Sequence, residues 1–471
     1  MNSMKSKRHE SIKIIVSEAI MVLTVIITVI VLAFIVSGYW LNSDFEVERQ
    51  GMLQISSIPT GADISIDNEK PSWSSRTNTS KVLTSGEHTI KLSKEGYDTW
   101  SKTVNITEGL LYRLHYPRLF LKNRTKEPVL DIGTTTQATV SPDHNRLILI
   151  NNTSEWLLVD LDLETPKTTK LDISKYFSGI SVAEDAKVGL FSNEILSMNW
   201  DSDNTHLLLK TRYEDNLEWV LLDINNLDKS INLSKEFSGN FSKVEILDHS
   251  SSTLLVVQNN NLQKIDLSNK SISSVLVEDI FDFDHYNNDV VFSAKNTEKD
   301  ASSEYYLGFF KIGDNATSTL QSLSSPARVL ISKFYDETYI TTLHDNTIIM
   351  HQKDDYDTVS EYQLSFIPDD IQIGHNGEFI VFSKDTTIAT LDMEASIVQE
   401  WNIENPVYNW LDNDMIYNIS NDKLIVYDYD GLNRREIAEN TSPLFPATIT
   451  DDRWLYYFKN GSLIREWLIE H

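Results

Sequence analysis

One phrase recurs along most of this chain and restricts its fold more than any single motif. Ala138-Thr-Val-Ser-Pro-Asp-His-Asn145-Arg-Leu-Ile-Leu-Ile150 is followed by Glu155-Trp-Leu-Leu-Val-Asp-Leu161. Met198-Asn-Trp-Asp-Ser-Asp-Asn-Thr-His-Leu-Leu-Leu209 is followed by Glu218-Trp-Val-Leu-Leu-Asp-Ile224. The form returns at Val244, Asp279, Ile371 and Val407. Each unit reads as a short strand, an Asp/Asn/Ser turn, an apolar strand, a second turn, a strand ending in Asp, and a fourth strand of polar–apolar alternation. Asp, Asn and Ser suit the turns because they bond their own backbone, and Asn and Asp tolerate left-handed conformation. The central strands are apolar without interruption, which requires cover on both faces.

Units start near residues 137, 195, 243, 279, 328, 370, 407 and 447. The mean step lies in the mid-forties, near the roughly 40–45 residues of a four-stranded propeller blade. The sequence therefore predicts an all-β body over residues 117–471, a seven- or eight-bladed β-propeller. Eight is the direct count; seven follows if residues 280–355 hold one and a half units. The last unit has only about three strands, so a strand from 112–121 or 128–132 is expected to complete it and leave no open edge. The Ser141-Pro-Asp143 and Trp156-Leu-Leu-Val-Asp160 phrases are similar to TolB-like and WD40-like propeller repeats. No unit carries the full Gly-His…Trp-Asp signature.

Ahead of the repeats, residues 19–43 contain no charge, and 19–36 are mostly branched aliphatics. A helix of 19–36 would be about 27 Å long, close to a hydrocarbon core of roughly 30 Å. Only Thr24 and Thr28 are polar in it, and a helix lets each bond its own backbone. Tyr39 and Trp40 follow, where aromatic rings favour the headgroup layer. Lys5, Lys7, Arg8 and Lys13 flank the entry side; Asp44, Glu46 and Glu48 flank the exit. This asymmetry predicts a cytoplasmic tail at 1–18, a single-pass transmembrane helix at 19–41, and export of the remainder. The run exceeds the roughly 7–15 residues of a cleavable signal, so an uncleaved signal anchor in the cell membrane is expected.

Between anchor and repeats, residues 51–116 read as a small antiparallel β module. Leu53 and Ile55 alternate with polar residues, Pro59-Thr60-Gly61 turns, and Ile64 and Ile66 resume the alternation up to Asp67-Asn68. Gly86-Glu87-His88-Thr89 opens another strand, and Lys94-Glu95-Gly96-Tyr97 turns again. These pieces, in this order, resemble the PEGA domain. Thr60 stands where that family has Glu, and Asn68 where it has Gly. The resemblance implies a β-sandwich-like module of prokaryotic cell-envelope proteins, serving as spacer or binding unit, with no catalytic residue.

Composition narrows the chemistry. The chain has no cysteine, which removes disulfides, thiolate metal sites and a Cys nucleophile. Net charge is −28; residues 1–18 contribute +2, so the rest carries −30. Such a surface repels nucleic acid and anionic lipid and fits cationic partners or simple colloidal solubility. No Gly-X-Ser-X-Gly, Walker A loop, dinucleotide fingerprint or His-Glu-X-X-His occurs. Asp428-Tyr-Asp430-Gly431 lacks the further ligands of a calcium loop and reads as an Asp-Gly turn. Asp282 with Asp284, and Asp201 with Asp203, are candidate acid–base pairs that read more simply as loop acids. His285 and His375 are placed in turns. No catalytic, cofactor-binding or metal residue is assigned. The expected function is a non-catalytic, envelope-anchored scaffold binding an extracytoplasmic protein or envelope polymer. The alternative is a propeller enzyme acting on envelope polysaccharide or peptide, distinguished by carboxylates converging on the central channel.

Overall fold

The structure is a computed structural model. It describes residues 18, 20–33, 39–41, 47–69, 76–131, 135–151, 155–161, 164–178, 180–181, 190–191, 194–250, 252–296, 303–314, 317–354, 356–374, 376–439, 441 and 446–470. The chain forms two compact units, Met1–Arg124 with Leu468–His471, and Thr125–Trp467.

In the first unit, residues 20–33 are helical. Every large apolar side chain from Ile20 to Leu32 is about half exposed, between 49% and 63%, so no face of this helix is covered. Thr24 Oγ1 donates to Ile20 O at 2.8 Å and Thr28 Oγ1 to Thr24 O at 2.8 Å, which hides both hydroxyls against the helix. Among the described residues no helix is long and apolar enough to cross a membrane. The helix expected over 19–41 does not reach its predicted end. Tyr39–Leu41 (β1) is a strand, paired antiparallel with Val47–Arg49, because a β ladder rather than an i−4 helix bond satisfies its backbone.

Two small sheets follow. Val47–Ile55 (β2) pairs with β1, then with Thr79–Thr84 (β4), and runs parallel to Leu111–Leu114 (β7). Asp63–Ile66 (β3), Gly86–Ser93 (β5) and Trp100–Ile106 (β6) form the second sheet. Alternation sets the faces: β6 reads buried–exposed throughout, with Trp100, Val104 and Ile106 inside. At the β3 exit Asp67 and Asn68 both hold positive φ, 52° and 65°, a conformation Asn and Asp tolerate without glycine. Asp67 then fixes β5 by accepting Thr89 N–H at 2.8 Å and contacting His88 Nδ1 at 2.7 Å. The C-terminal residues join this unit through Leu121 N–H to Leu468 O and Glu470 N–H to the Tyr97 hydroxyl, each 2.9 Å.

The second unit contains eight four-stranded antiparallel sheets among the described residues. Their first strands begin at Thr135, Glu194, Lys243, Ile280, Arg328, Asp370, Tyr408 and Thr448, within two residues of the unit starts read from the sequence. A two-stranded insertion, Ile180–Ser181 with Leu190–Phe191, separates sheets one and two.

Residue parity explains the uninterrupted apolar strands. Leu147 and Leu149 pack on Trp454, Tyr456 and Phe458 of sheet eight, while Ile148 and Ile150 pack on Leu207 and Leu209 of sheet two. Leu208 faces the other way, onto Val244 and Val256 of sheet three. Sheet three meets sheet four at Val257 and Phe292, and Val291 meets Val329 and Ile331 of sheet five. Ile348 meets Ile380 and Phe382, and Val381 meets Ile416 and Ile425 of sheet seven. Sheets seven and eight join through Ala447 N–H on the Tyr417 hydroxyl, 3.0 Å. The succession of neighbours returns to its start, which makes this unit a β-propeller.

The turns carry the repeated acids. Asp223 accepts Asn225 and Asn226 N–H, Asp266 accepts Asn269 N–H, and Asp392 accepts Ala395 N–H, each within the turn that follows the third strand. Closure is by β8, Lys126–Asp131, which pairs with Ser462–Trp467 to give sheet eight its fourth strand. Of the two segments expected for this role, the 128–132 candidate overlaps β8; Leu111–Leu114 instead pairs with β2. The seam is tied by charge. Fully buried Glu466 contacts Lys126 Nζ at 3.1 Å and accepts the Tyr457 hydroxyl at 2.9 Å, and Arg465 Nε donates to Glu127 at 2.7 Å.

Leu463 is fully buried at this seam, so Leu463→Ala should lower stability by about 2–5 kcal/mol in denaturant unfolding. A chain ending before Ala447 loses sheet eight and leaves β8 without its partner. Size exclusion should find it aggregated; a monodisperse, cooperatively melting product contradicts closure.

Candidate functional site

The first strand of each sheet is an edge, with one row of amides and carbonyls outside its own ladder. These edges face the centre of the ring, and among the described residues the following cavities lie along them. One of about 330 Å³ runs past Ala138–Ser141 residues of sheet one, Tyr408, Asn409 and Trp410 of sheet seven, and Thr448 of sheet eight. A second, about 300 Å³, is lined by Trp200, Asp201, Glu245, Asp248, Asp284 and His285 of sheets two to four. The third, about 520 Å³, extends from Asp248 and His285 across Ser332, Lys333 and Tyr335 to Gly374 and Gly377 of sheet six. Gly377 has φ +75°, and a Cβ there would stand 2.4 Å from Lys333 O, so only glycine permits this approach of sheets five and six.

The inner strands of sheets three and four, Lys243–Ile246 and Ile280–Tyr286, carry most of the charge. Lys243 Nζ lies 2.8 Å from Glu245 Oε1 and 3.6 Å from Asp282 Oδ1, donates to Phe283 O at 2.9 Å, and sits 4.1 Å over the Phe283 ring. Asp282 Oδ2 accepts Val329 N–H at 3.1 Å and Asp284 Oδ2 accepts Ile331 N–H at 2.8 Å. Residues two apart share a strand face, so Asp-X-Asp on one edge meets alternate free amides of the next. A register shift between Ile280 and Asp282 sets this phase and leaves Phe281 55% exposed. His285 lies between two carboxylates, its Nδ1 3.5 Å from Asp248 and its Nε2 3.7 Å from Glu245.

Burial and like charge shape the protonation. Burial, then the charge of Glu245, pushes the Asp284 carboxyl up to about 7, despite its bonds to backbone amides. Burial also raises Asp282 against the pull of Lys243. Burial alone would lower His285, but attraction to Asp248, Glu245 and Asp284 outweighs it and holds the imidazole above its ordinary value. Burial opposes ionisation of Asp248, yet His285 and the Asn287 amide hold its carboxyl below the usual range.

The sequence candidates fall differently from expectation. Asp282 and Asp284 lie on a strand, not in loops, and each is bonded to the neighbouring sheet. His285 is likewise a strand residue, not a turn residue, since Ile280–Tyr286 runs through it. His375 lies outside the described residues. Asp201 and Asp203 do not act together: Asp201 accepts Thr205 N–H at 2.7 Å and His206 N–H at 2.9 Å in its own turn, while Asp203 meets His249 at 2.7 Å. Asp428 and Asp430 serve the 428–433 turn, with Leu432 N–H on Asp430 at 3.1 Å and Gly431 at φ +79°. Lys243, Glu245 and Asp248 were not singled out from sequence. A signal existed: charges at alternate positions in the first strands of two adjacent units.

The PEGA domain family matches residues 50–118. No curated protein sequence matches the chain. Among solved structures, the C-terminal WD40 domain of Sif2 is similar at TM-score 0.47 and 11% identity, over 74% of this chain and 99% of that one. The β-propeller domain of Myceliophteria thermophila Cps50 (Swd1) gives 0.40 and 10%, over 74% and 100%. The computationally designed Ika8 protein gives 0.42 and 12%, over 72% and 97%.

Asp284 and His285, both raised, have the same sign of linkage. Asp284 keeps its proton in the folded chain until about pH 7, whereas the unfolded carboxyl loses it near 3.8, so stability falls as pH rises between these values. The His285 contribution is complete below about 6.5 and fades as pH rises through its raised folded value. The denaturation midpoint of wild type relative to Asp284→Asn should therefore decline from pH 5 to pH 8. A flat or rising difference contradicts the assignment.

Proposed function

We propose that this chain is a membrane-tethered, non-catalytic scaffold that presents an eight-bladed propeller outside the cell membrane to bind a protein partner or envelope polymer. One observation carries the non-catalytic reading. The carboxylates converging on the ring's centre are engaged within the fold: Asp282 and Asp284 on the amides of Val329 and Ile331 of the next sheet, and Glu245 on Lys243, which also reaches Asp282. An acid–base pair needs carboxylates free to meet substrate. The unbroken apolar surface of helical residues 20–33 and the basic residues before it support the tether, with the PEGA-type module next in the chain. The strongly acidic surface argues against nucleic-acid partners.

A second reading has its own observation. Asp284, with its carboxyl pushed up to about 7, has the proton affinity of a general acid near neutrality. A propeller enzyme acting on envelope polysaccharide or peptide follows if that proton reaches substrate.

Alkaline washing of cell membranes should leave the full chain in the pellet, and protease added to intact cells should digest the body beyond residue 44. Recovery among soluble cytosolic proteins overturns the tether. The chain lacks cysteine, so Tyr335→Cys gives a single labelling position at the inner cavity. A cross-linker there should capture a partner that Lys167→Cys, on a fourth strand, does not. Turnover of envelope glycan or peptide that disappears in Asp284→Asn would establish the enzyme instead.

A further inference from the structure

We propose that the outer face of the β2 sheet lies against the membrane, with an apolar row of Leu111, Met52 and Val82 entering the headgroup layer beside the anchor. The proposal rests on the tether reading and gives the PEGA-type module its own contact with lipid.

Cross-strand register builds the row. Met52 pairs with Val82 of β4 on one side and with Leu111 of β7 on the other. Strand parity turns these side chains outward. Leu53 and Ile55 on the opposite face of β2 are fully buried, whereas Met52 is 43% exposed, Val82 57% and Leu111 39%. Leu110, just before β7, is 62% exposed. Among the described residues of this unit, these four are the only large apolar side chains left exposed outside helical residues 20–33. The other sheet of the module is finished differently. The exposed positions of β5 and β6 include Glu87, Lys91, Ser101, Thr103 and Asn105, and none is apolar. Exposed apolar residues scattered singly need no explanation, but a contiguous row on one face marks a contact surface.

Chain length says what covers it. The apolar run ends at Val36 and β1 begins at Tyr39. Three residues span at most about 11 Å, so if 19–36 crosses the hydrocarbon, Tyr39 stays in or beside a headgroup layer roughly 5–8 Å thick. Tyr39 pairs with Arg49, and Met52 follows three residues later on the same strand. The row is thereby held within about 25 Å of the hydrocarbon edge. Lipid is the one surface that the covalent chain itself keeps at this distance. A second copy is a weaker occupant, since stable protein contacts take roughly 20–30 residues a side and this patch offers four apolar side chains. The row carries no charge, so its contact needs no anionic lipid, which a chain of net charge −28 would repel.

The test uses the full chain, one copy per phosphatidylcholine nanodisc. The chain has no cysteine, so Val82→Cys, Leu110→Cys, Lys91→Cys and Val29→Cys each give one site for an environment-sensitive nitrobenzoxadiazole label. Labels at 82 and 110 should emit at shorter wavelength than the label at 91 and lose about half or more of their intensity to lipid carrying a nitroxide near the headgroup. The label at 91, on the polar sheet, should keep its intensity. Met52→Gln with Val82→Gln should return the label at 110 to the behaviour of the label at 91. Equal quenching at 82 and 91, or quenching at 110 that survives the two glutamines, overturns the proposal. Cross-linking of Val82→Cys between copies in larger vesicles, with no lipid quenching there, assigns the face to a second copy and also overturns it. The label at 29 separates the two readings: quenched at 29 but not at 82, the tether stands and this proposal falls; unquenched at 29, the tether itself falls.

Discussion

A strand that is apolar on both faces cannot be stable in an isolated sheet. This constraint governs the larger unit. Leu147 and Leu149 need sheet eight, Ile148 and Ile150 need sheet two, and the requirement passes from sheet to sheet until it returns. Burying a Leu or Ile side chain is worth roughly 1.5–3 kcal/mol, and each interior strand places several on each side. No single sheet can be removed without exposing two such faces. The β8 strand matters for the same reason, since it covers the last edge with Lys126–Asp131 and adds the Arg465–Glu127 and Lys126–Glu466 ties.

Ring closure creates a second requirement at its centre. Inner strands are edges, and their outward amides need acceptors in a space that is partly closed to water. Sheets four and five meet this need with side chains, Asp282 and Asp284 accepting Val329 and Ile331. The resulting concentration of negative charge raises Asp284 toward neutrality and draws His285 and Lys243 into the same wall. The features that make this wall a candidate binding surface thus arise from the same groups that hold the sheets in place.

Much of the architecture was legible because the repeat has a local cause. Turn acids such as Asp223, Asp266 and Asp392 cap their own turns, so they recur wherever the turn recurs. The starts of the units could be read for that reason. Asp67 and Asn68 likewise mark a turn that both residues can adopt. The helix end was not legible: Tyr39 and Trp40 suit both an interfacial belt and a strand, and only pairing with Val47–Arg49 decides between them. The inner wall was not legible either. Asp282 and Asp284 are acids near a turn until the neighbouring strand, some 47 residues later, supplies their amides.

By itself the sequence determined the all-strand class, the phase of the repeats, the turn positions, the absence of thiol chemistry and the strongly negative surface. These follow from periodicity, composition and contacts within a few residues. Tertiary structure alone decided which segment closes the ring, which parity of each strand faces which neighbour, and which charges meet at the centre. Those outcomes depend on residues far apart in the chain, and a side chain's surroundings, not its identity, set its proton affinity and its partners.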